Sequence, residues 1–367
     1  MKKDLFFFFL LAISFESFSQ SLISGRVVDS ETKEPVESVY IQNRNRPENS
    51  ALSDENGFFS IVTILSDTLD FYRVSYIFDS YVCKEDKFIY MGLEPKENNL
   101  PEIIITYEKA NRILQKAIYN LKANYVHRPL IYLWHGIEKD KKNKDSKESY
   151  ALYSAELGKM NPHKNEMPFD FRLIELNHLI NDVQTSKILE EEQFPMLFHS
   201  IPTTLESVVK FDNVFKINND NDSLIFIKAV SEQSNTTYGS VEFIVNKSDT
   251  VLLCINFNIV NKGKREYTKA KFLGIVLWEL ALEEMNVSVL IGKKGNAYYF
   301  DKIKSKYLFS FIVDKKEELI EFENTAIFLN DSKINTKKGY KKLKGYTTQL
   351  YKSEATTTNR FWEKFFK

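Results

Sequence analysis

Short runs of apolar and β-favouring residues, separated by turn signals, fill the first hundred positions of the chain. Residues 36–41 alternate apolar and polar side chains, as a half-buried strand does. Four further runs have the composition of strands: residues 23–29, 51–53, 58–61 and 67–76. Several short strands at this spacing predict a β-sandwich.

The sequence Asp54-Glu55-Asn56-Gly57 separates two of these runs. An Asn-Gly pair supplies the positive φ angles that a tight hairpin requires. We therefore expect residues 51–53 and 58–61 to form a β-hairpin around this turn.

The pattern changes near residue 108, where apolar residues begin to recur at helical spacing. These residues are Ala110, Ile113, Leu114, Ala117, Ile118 and Leu121. They predict an amphipathic helix that buries one stripe and connects two domains over residues 108–127.

Most of residues 128–367 read as strands again. Residues 130–138 and 149–157 are expected to pair across a charged, lysine-rich tip at residues 139–145, which we interpret as solvated. Further strand-like runs follow at residues 223–229, 239–245 and 250–257. Consecutive strands with short polar links favour an antiparallel meander.

Residues 170–210 look helical or irregular, because Pro195 and Pro202 break any long helix. The strand pattern around them resembles the curved half-barrel of periplasmic lipoprotein carriers. That likeness concerns the fold alone and implies no shared function.

The first twenty residues have the layout of a secretory signal peptide. A short basic start precedes an apolar core at residues 5–13, and the small residues Ser17 and Ser19 suit signal peptidase. We expect cleavage after Ser19 or Gln20, since spanning a bilayer takes about twenty apolar residues and this run is shorter. No cysteine follows the signal, so the protein is predicted to be exported to the periplasm or the outer membrane without being a lipoprotein.

The chain has two cysteines, Cys83 and Cys254. An oxidising compartment would allow them to pair. Each lies in an apolar β-type run rather than in a loop, so we expect them not to be bonded to each other.

Composition narrows the function classes. Lys plus Arg and Asp plus Glu both number 50, so the formal net charge is zero. There is no overall basic field to hold nucleic acid, and nucleic acid is not an expected partner. A length of 367 residues suggests two domains or three.

Three segments read SGRVVDSETKEPVESVYI, SDENGFFSI and DTLDFYRVSYI in order. They resemble the carboxypeptidase regulatory-like domain of Bacteroidota envelope proteins, which also occurs at the N-terminus of TonB-dependent receptors. The residues that match the family pattern are Gly25, Val27, Val28, Asp29, Pro35, Val39, Asp54, Gly57 and Phe59. Residues 100–106 resemble the strand that follows this domain in the receptors.

The resemblance covers residues 21–107 and implies a seven-strand, transthyretin-like β-sandwich without catalytic activity. The expected fold is therefore mainly β. The sandwich is followed by the connecting helix and then by an antiparallel β-rich α+β domain over residues 128–367.

One motif suggests metal chemistry. His135 and Glu138 have the spacing by which metallocarboxypeptidases hold zinc. A catalytic zinc also needs a third protein ligand and an open position for water. Alternation along residues 130–138 puts His135 and Glu138 on opposite faces of a strand, and His199 lies in a proline-broken segment. The sequence therefore predicts no metal site, no cofactor and no catalytic residue.

The other polar signals are weaker. His163, His178 and His199 share no metal-ligand spacing. Residues 190–192, three glutamates, read as an exposed helix face, because adjacent residues do not converge on a helix. Residues 337–346 interleave lysines with tyrosines and could bind an anionic glycan, a lipid headgroup or nucleic acid, but a solvated loop is the preferred interpretation.

These observations favour a non-catalytic cell-envelope protein with a binding or assembly role, in which the N-terminal sandwich is an interaction module. The expected partner is an envelope protein or a glycan, and peripheral contact with the outer membrane stays open. Two alternatives remain: a zinc carboxypeptidase-like envelope hydrolase, and a periplasmic carrier of a hydrophobic ligand. A carrier would need a large apolar cavity.

Overall fold

The structure is a computed structural model, and it describes residues 21–73, 76–84, 88–96, 107–142, 144, 146–157, 169–179, 213–218, 223–231, 237–261, 268–272, 275–313, 316–329 and 341–342. The chain divides into two compact units, Met1–Asn99 and Leu100–Lys367. Each unit has a hydrophobic core of its own.

The described part of the first unit contains seven strands. Their bounds are β1 (Ser21–Asp29), β2 (Tyr40–Asn43), β3 (Ser50–Leu52), β4 (Phe58–Thr63), β5 (Thr68–Tyr72), β6 (Asp79–Val82) and β7 (Phe88–Leu93). They make a three-stranded sheet in the order β4-β1-β7 and a four-stranded sheet in the order β3-β2-β5-β6. Strands β1 and β7 are parallel, and the other pairs are antiparallel. The predicted seven-strand sandwich is confirmed.

Apolar side chains from both sheets form the core of the sandwich. The rings of Phe59 in β4 and Phe71 in β5 meet edge to face, with centroids 5.5 Å apart, and so join the two sheets. Gly25 leaves room for this contact, because a Cβ at that position would lie 2.5 Å from the ring of Phe59.

The turn at residues 54–57 is tight, but it does not close a hairpin. The amide of Gly57 donates to the carbonyl of Asp54 at 2.9 Å, and Oδ1 of Asp54 accepts from the amides of Asn56 and Phe58 at 3.0 and 2.8 Å. Strand β3 before the turn belongs to the four-stranded sheet, and β4 after it belongs to the three-stranded sheet. The hairpin prediction is therefore wrong: the turn carries the chain from one sheet of the sandwich to the other. Within it only Gly57 has a positive φ, 78°, at the last position of the turn.

Two other sequence expectations shift slightly. The strand expected at residues 36–41 begins only at Tyr40, because Ser38 has a φ of 57°, which interrupts extended backbone. Cys83 directly follows β6 instead of lying inside a strand, and its side chain is buried.

The described part of the second unit contains one helix and a large antiparallel sheet. The helix is α1 (Tyr107–Ala123). The strands are β8 (Leu130–Asp140), β9 (Ser146–Leu157), β10 (Phe169–Leu179), β11 (Asn213–Asn218), β12 (Leu224–Ser231), β13 (Thr237–Asn246), β14 (Val251–Asn261), β15 (Thr268–Phe272), β16 (Ile275–Lys294), β17 (Ala297–Val313), β18 (Lys316–Leu329) and β19 (Lys341–Lys342).

The sheet of the second unit follows the order β11-β12-β13-β14-β16-β17-β18-β8-β9-β10-β19, and β15 pairs with β16 beside this path. Its pairs are antiparallel, so the predicted β-rich antiparallel domain after a helix is confirmed. Strands β8 and β9 pair across the lysine-rich tip, as expected. Among the described strands the sheet is open, because β11 and β19 at its two ends each have one partner.

Helix α1 packs its apolar stripe into the core of the second unit. The residues of this stripe that are fully buried are Ala110, Leu114, Ala117 and Leu121. The amide nitrogen of the Asn120 side chain donates to the carbonyls of Asp249 and Thr250 at 2.8 and 3.1 Å, which fixes the helix to the turn before β14. No helix in the described part of the chain combines the length and apolarity that crossing a membrane requires.

One segment was assigned wrongly from the sequence. Residues 170–179 belong to strand β10, which pairs with β9, whereas residues 170–210 were expected to be helical or irregular. The register between β10 and β9 shifts between Leu173 and Glu175. A bulge inserts one extra residue into a strand, so the alternation of apolar and polar residues changes phase there and the period of two is hidden.

Candidate interaction surface

The three-stranded sheet of the sandwich has an outward side that is rich in apolar side chains. Alternation along a strand sends every second residue outward, and in β4 and β7 these positions are exposed throughout. We call the following outward residues the outer face: Leu22, Ser24, Arg26, Phe58, Ser60, Val62, Phe88, Tyr90 and Gly92. Its large apolar members have exposed fractions of 65% for Leu22, 44% for Phe58, 39% for Val62, 53% for Phe88 and 61% for Tyr90.

The pairing register arranges the outer face in rows across the strands. The rows are Val62–Leu22, Ser60–Ser24–Phe88 and Phe58–Arg26–Tyr90. Neighbouring strands lie about 4.8 Å apart, so side chains in one row are close enough to contact a common partner. The two serine hydroxyls of the middle row lie 3.2 Å apart.

Arg26 lies at the centre of its row, between Phe58 and Tyr90. Its Nε donates to the carbonyl of Asn56 at 2.9 Å, and its guanidinium carbon lies 5.2 Å from the centroid of the Phe58 ring. The second contact is a cation–π interaction. No carboxylate in the described stretches of the chain pairs with Arg26. Among the described residues, the guanidinium is therefore positioned by a backbone carbonyl and an aromatic ring.

The outer face has a sequence signal that alternation alone does not reveal. A strand with one face in the core and one face in water alternates apolar and polar residues. Residues 58–59 and 88–91 instead place apolar side chains at successive positions, Phe-Phe and Phe-Ile-Tyr-Met. Apolar residues on both faces of strands β4 and β7 are therefore readable once the strands are known.

The two residues of the zinc-like motif lie on opposite faces of β8. The strand pairs regularly with β18 and β9 on its two sides, so alternation places Glu138 with the core residues Tyr132 and Trp134 and His135 on the other face. His135 has its Nε2 3.7 Å from Oε2 of Glu148. Burial lowers the pKa of His135, and the Glu148 carboxylate opposes this effect. Within the described residues, no group of three potential metal ligands occurs.

Charged side chains on the outward side of β8, β17 and β18 form ion pairs with one another. The buried carboxylate of Glu321 contacts the ammonium groups of Lys139, Lys141 and Lys306 at 3.6, 2.7 and 3.2 Å. Burial alone would raise the pKa of Glu321, but the lysines outweigh it and the pKa is lowered. Residues 139–145 were expected to be a solvated tip, and Lys139 and Lys141 of that tip instead take part in these ion pairs.

Asp301 is the described carboxyl group with an unusually high pKa. Burial raises the pKa of Asp301 to about 6, and Lys302 acts in the opposite direction. Burial also raises the pKa of the neighbouring Tyr299 to about 12.

Several residues singled out in the sequence lie outside the described residues: residues 1–20, residues 100–106, His163, residues 190–192 and His199. His178 lies in β10, opposite Ser149 of β9. Lys341 and Lys342 form the short strand β19 on β10, so this part of residues 337–346 is not the expected loop.

No family model matches the chain, and no curated protein matches it significantly. Among solved structures, the chain is similar to a proposed outer membrane lipoprotein-sorting protein domain from Vibrio parahaemolyticus, with a TM-score of 0.24, 11% identity, and coverage of 63% of this chain and 96% of that one. It is also similar to a chain in the MucA/MucB complex of Pseudomonas aeruginosa, with a TM-score of 0.19, 5% identity, and coverage of 59% and 93%. Likenesses at TM-scores this low establish neither a shared fold nor a shared function.

Proposed function

We propose that this chain is an exported, non-catalytic cell-envelope protein and that its N-terminal sandwich binds another envelope component. In this proposal residues 21–107 are a carboxypeptidase regulatory-like domain and residues 1–20 are a signal peptide. This binding retains the protein in the envelope.

The observation that carries the proposal is the exposed outer face. Contiguous exposed apolar side chains on a soluble domain are costly in water and mark interaction sites. Five large apolar residues share this face, and three of them are aromatic. The sandwich does not need these side chains for its own core, because its core contains the inward residues of the same strands.

The two alternatives have less support. A zinc hydrolase would need His135 and Glu138 to converge, whereas they lie on opposite faces of β8. A carrier would need an apolar cavity in the second unit. In the described core of that unit, the interior is instead occupied by large aromatic side chains that are fully buried. These are Tyr132, Trp134, Phe243, Phe300 and Phe322.

Envelope retention tests the proposal. The full-length protein is produced in its own host, cells are fractionated by osmotic shock, and the protein is quantified in the washed envelope. We expect a Phe58→Ser/Tyr90→Ser variant to move to the released soluble fraction, because the aromatic contact area of the outer face is lost. A matched control, Leu65→Ser/Val82→Ser, removes two other exposed apolar residues of the same unit and should be retained like the wild type. Equal retention of both variants would contradict the proposal.

A further inference from the structure

We infer that the outer face binds a protein, and that this partner presents an apolar surface with one carboxylate placed to meet Arg26. The inference rests on the proposed function and specifies the class of partner. Arg26 is the single charged residue among the nine positions of the outer face, and it lies between two aromatic side chains.

The outer face resembles the centre of a protein–protein interface in its aromatic residues, its arginine and its lack of other charges, although its two serines are not typical of such a centre. Such centres are enriched in aromatic residues and arginine and depleted in lysine, aspartate and glutamate. The outer face contains two phenylalanines, a tyrosine and an arginine, and it contains no lysine, aspartate or glutamate. The flanking Ser24 and Ser60 add small hydroxyl groups rather than competing charges.

The geometry of Arg26 prepares it for a carboxylate. Its Nε is occupied by the carbonyl of Asn56, and the Phe58 ring supports one side of the guanidinium. The described residues supply no counter-charge. A carboxylate of a partner would therefore form a charge-assisted pair with a guanidinium that is already oriented, so less side-chain freedom is lost on binding.

The charge of the unit argues against anionic surfaces. Residues 21–99 contain 8 Lys and Arg against 14 Asp and Glu, which gives a net charge of −6. A domain with this charge is repelled by anionic lipid, nucleic acid and acidic polysaccharide. A protein that is neutral or basic overall can supply one local carboxylate without this repulsion.

Charge also argues against a second copy of the chain. In a two-fold contact the same patch meets itself, so the carboxylate for Arg26 would have to come from the outer face. That face has no acidic residue, and the contact would bury two guanidinium groups without counter-charges.

Site-specific photocrosslinking of the full-length protein in its own host tests the inference. A benzoylphenylalanine replaces Phe88 on the outer face, and a control protein carries it at Leu65, which is exposed in the same unit outside the outer face. We expect a discrete, protease-sensitive adduct with a different protein from position 88 and none from position 65. An adduct of twice the chain mass, an adduct with lipid or polysaccharide, or no adduct at position 88 would overturn the inference.

Charge reversal then tests the role of Arg26. We expect Arg26→Glu to lower the yield of the adduct by about tenfold or more, and Arg26→Gln, which keeps a hydrogen-bond donor, to lower it less. Mass spectrometry of the adduct identifies the contacted segment, and a carboxylate→Lys change there should restore the yield with Arg26→Glu. Hydrogen exchange of β1 shows whether each variant is folded. If neither Arg26 variant changes the yield of the adduct, the inference that the partner presents a carboxylate to Arg26 is wrong.

The two proposals can fail separately. If Phe58→Ser/Tyr90→Ser abolishes envelope retention and Arg26→Glu leaves it unchanged, the outer face binds a partner of another kind. If none of these variants changes retention, the proposed function itself is wrong.

Discussion

Gly57 and Val27 are in direct backbone contact inside the sandwich. The amide of Val27 donates to the carbonyl of Gly57 at 2.8 Å, and a Cβ on Gly57 would lie 2.2 Å from the carbonyl oxygen of Val27. Gly57 also has a φ of 78°, which a β-branched residue rarely adopts. Strain and steric overlap therefore both exclude a side chain at this corner between the two sheets.

We expect Gly57→Val to lower the free energy of unfolding of the first unit by about 3 kcal/mol or more, since a forced positive φ alone costs about 1–3 kcal/mol. Tryptophan fluorescence does not report this loss, because all three tryptophans lie in the second unit. Hydrogen exchange of peptides from residues 21–99 in the full-length protein measures it directly. The matched control is Gly92→Ala, where a Cβ would meet its nearest atoms at an ordinary 3.7 Å. Equal protection in both variants would show that this corner is not constrained.

Asp67 is the centre of a buried hydrogen-bond network. Its Oδ2 accepts from the Asn43 amide group at 2.7 Å, from the Ile64 amide and the Thr63 hydroxyl at 3.0 Å, and from Arg46. Burial on its own raises the pKa of Asp67, but these donors and the Arg46 charge prevail and the pKa is lowered. The ionised carboxylate thus fixes the loop between β4 and β5 to the loop that follows β2.

We expect Asp67→Asn to lower the unfolding free energy by about 2–4 kcal/mol at neutral pH, the scale for losing charged hydrogen bonds in a buried site. Because the pKa is lower in the folded state, this stabilisation is fully present above the unfolded value, near 3.8, and is lost as the pH falls through the folded value. The difference between wild type and variant should therefore be constant above about pH 5 and shrink below about pH 4. Urea unfolding from pH 7 to pH 3, followed by hydrogen exchange of residues 21–99, checks this. If the difference in unfolding free energy grows on acidification, the pKa of Asp67 is raised in the folded state and not lowered.

The first unit should fold without the second. The described residues of its core cluster lie between positions 23 and 93. A fragment of residues 21–99 is expected to give a dispersed amide proton spectrum, although a domain of this size is stabilised by a small margin. A fragment of residues 40–99 lacks β1, the central strand of the three-stranded sheet, and should be unfolded. A disordered spectrum from residues 21–99 would show that the unit depends on the rest of the chain.

Local patterns in the sequence predicted the secondary-structure elements better than they predicted which strands pair with one another. The apolar stripe from Ala110 to Leu121 predicted helix α1 correctly, because a period of 3.6 is preserved wherever the helix packs, but the helix ends at Ala123 and not at the predicted residue 127. The Asn56-Gly57 pair predicted a tight turn correctly, but which sheet each flanking strand joins depends on pairings distant in sequence. The bulge at Leu173 concealed β10 for a related reason, since it changes the phase of the alternation.

The candidate site was harder to predict than the fold. Phe58 and Tyr90 are separated by more than thirty residues, and only the pairing of β4 and β7 with β1 places both beside Arg26. In the sequence, His135 and Glu138 are a more conspicuous pair because they are close along the chain, but they lie on opposite faces of a strand. A sheet brings together residues from different strands, as it does for Phe58, Arg26 and Tyr90. It also places residues an odd number of positions apart on one strand, such as His135 and Glu138, on opposite faces. Distance along the sequence is therefore a poor guide to distance in space for both sets of residues.

Metal analysis tests the zinc-like motif directly. If His135 and Glu138 were zinc ligands, the purified protein would carry about one zinc per chain, and His135→Ala would lose the metal while remaining folded. Regular pairing of β8 with β9 and β18 keeps the two side chains on opposite faces, so they cannot coordinate one ion without breaking the strand. We therefore expect negligible metal in the wild type and in His135→Ala.

Glu138→Ala should cost more stability than His135→Ala, because Glu138 is nearly fully buried and the His135 side chain is 30% exposed. Elemental analysis with zinc present during purification, together with urea unfolding of both variants, measures the two effects. Near-stoichiometric zinc that disappears in His135→Ala would establish the hydrolase alternative in place of a non-catalytic role.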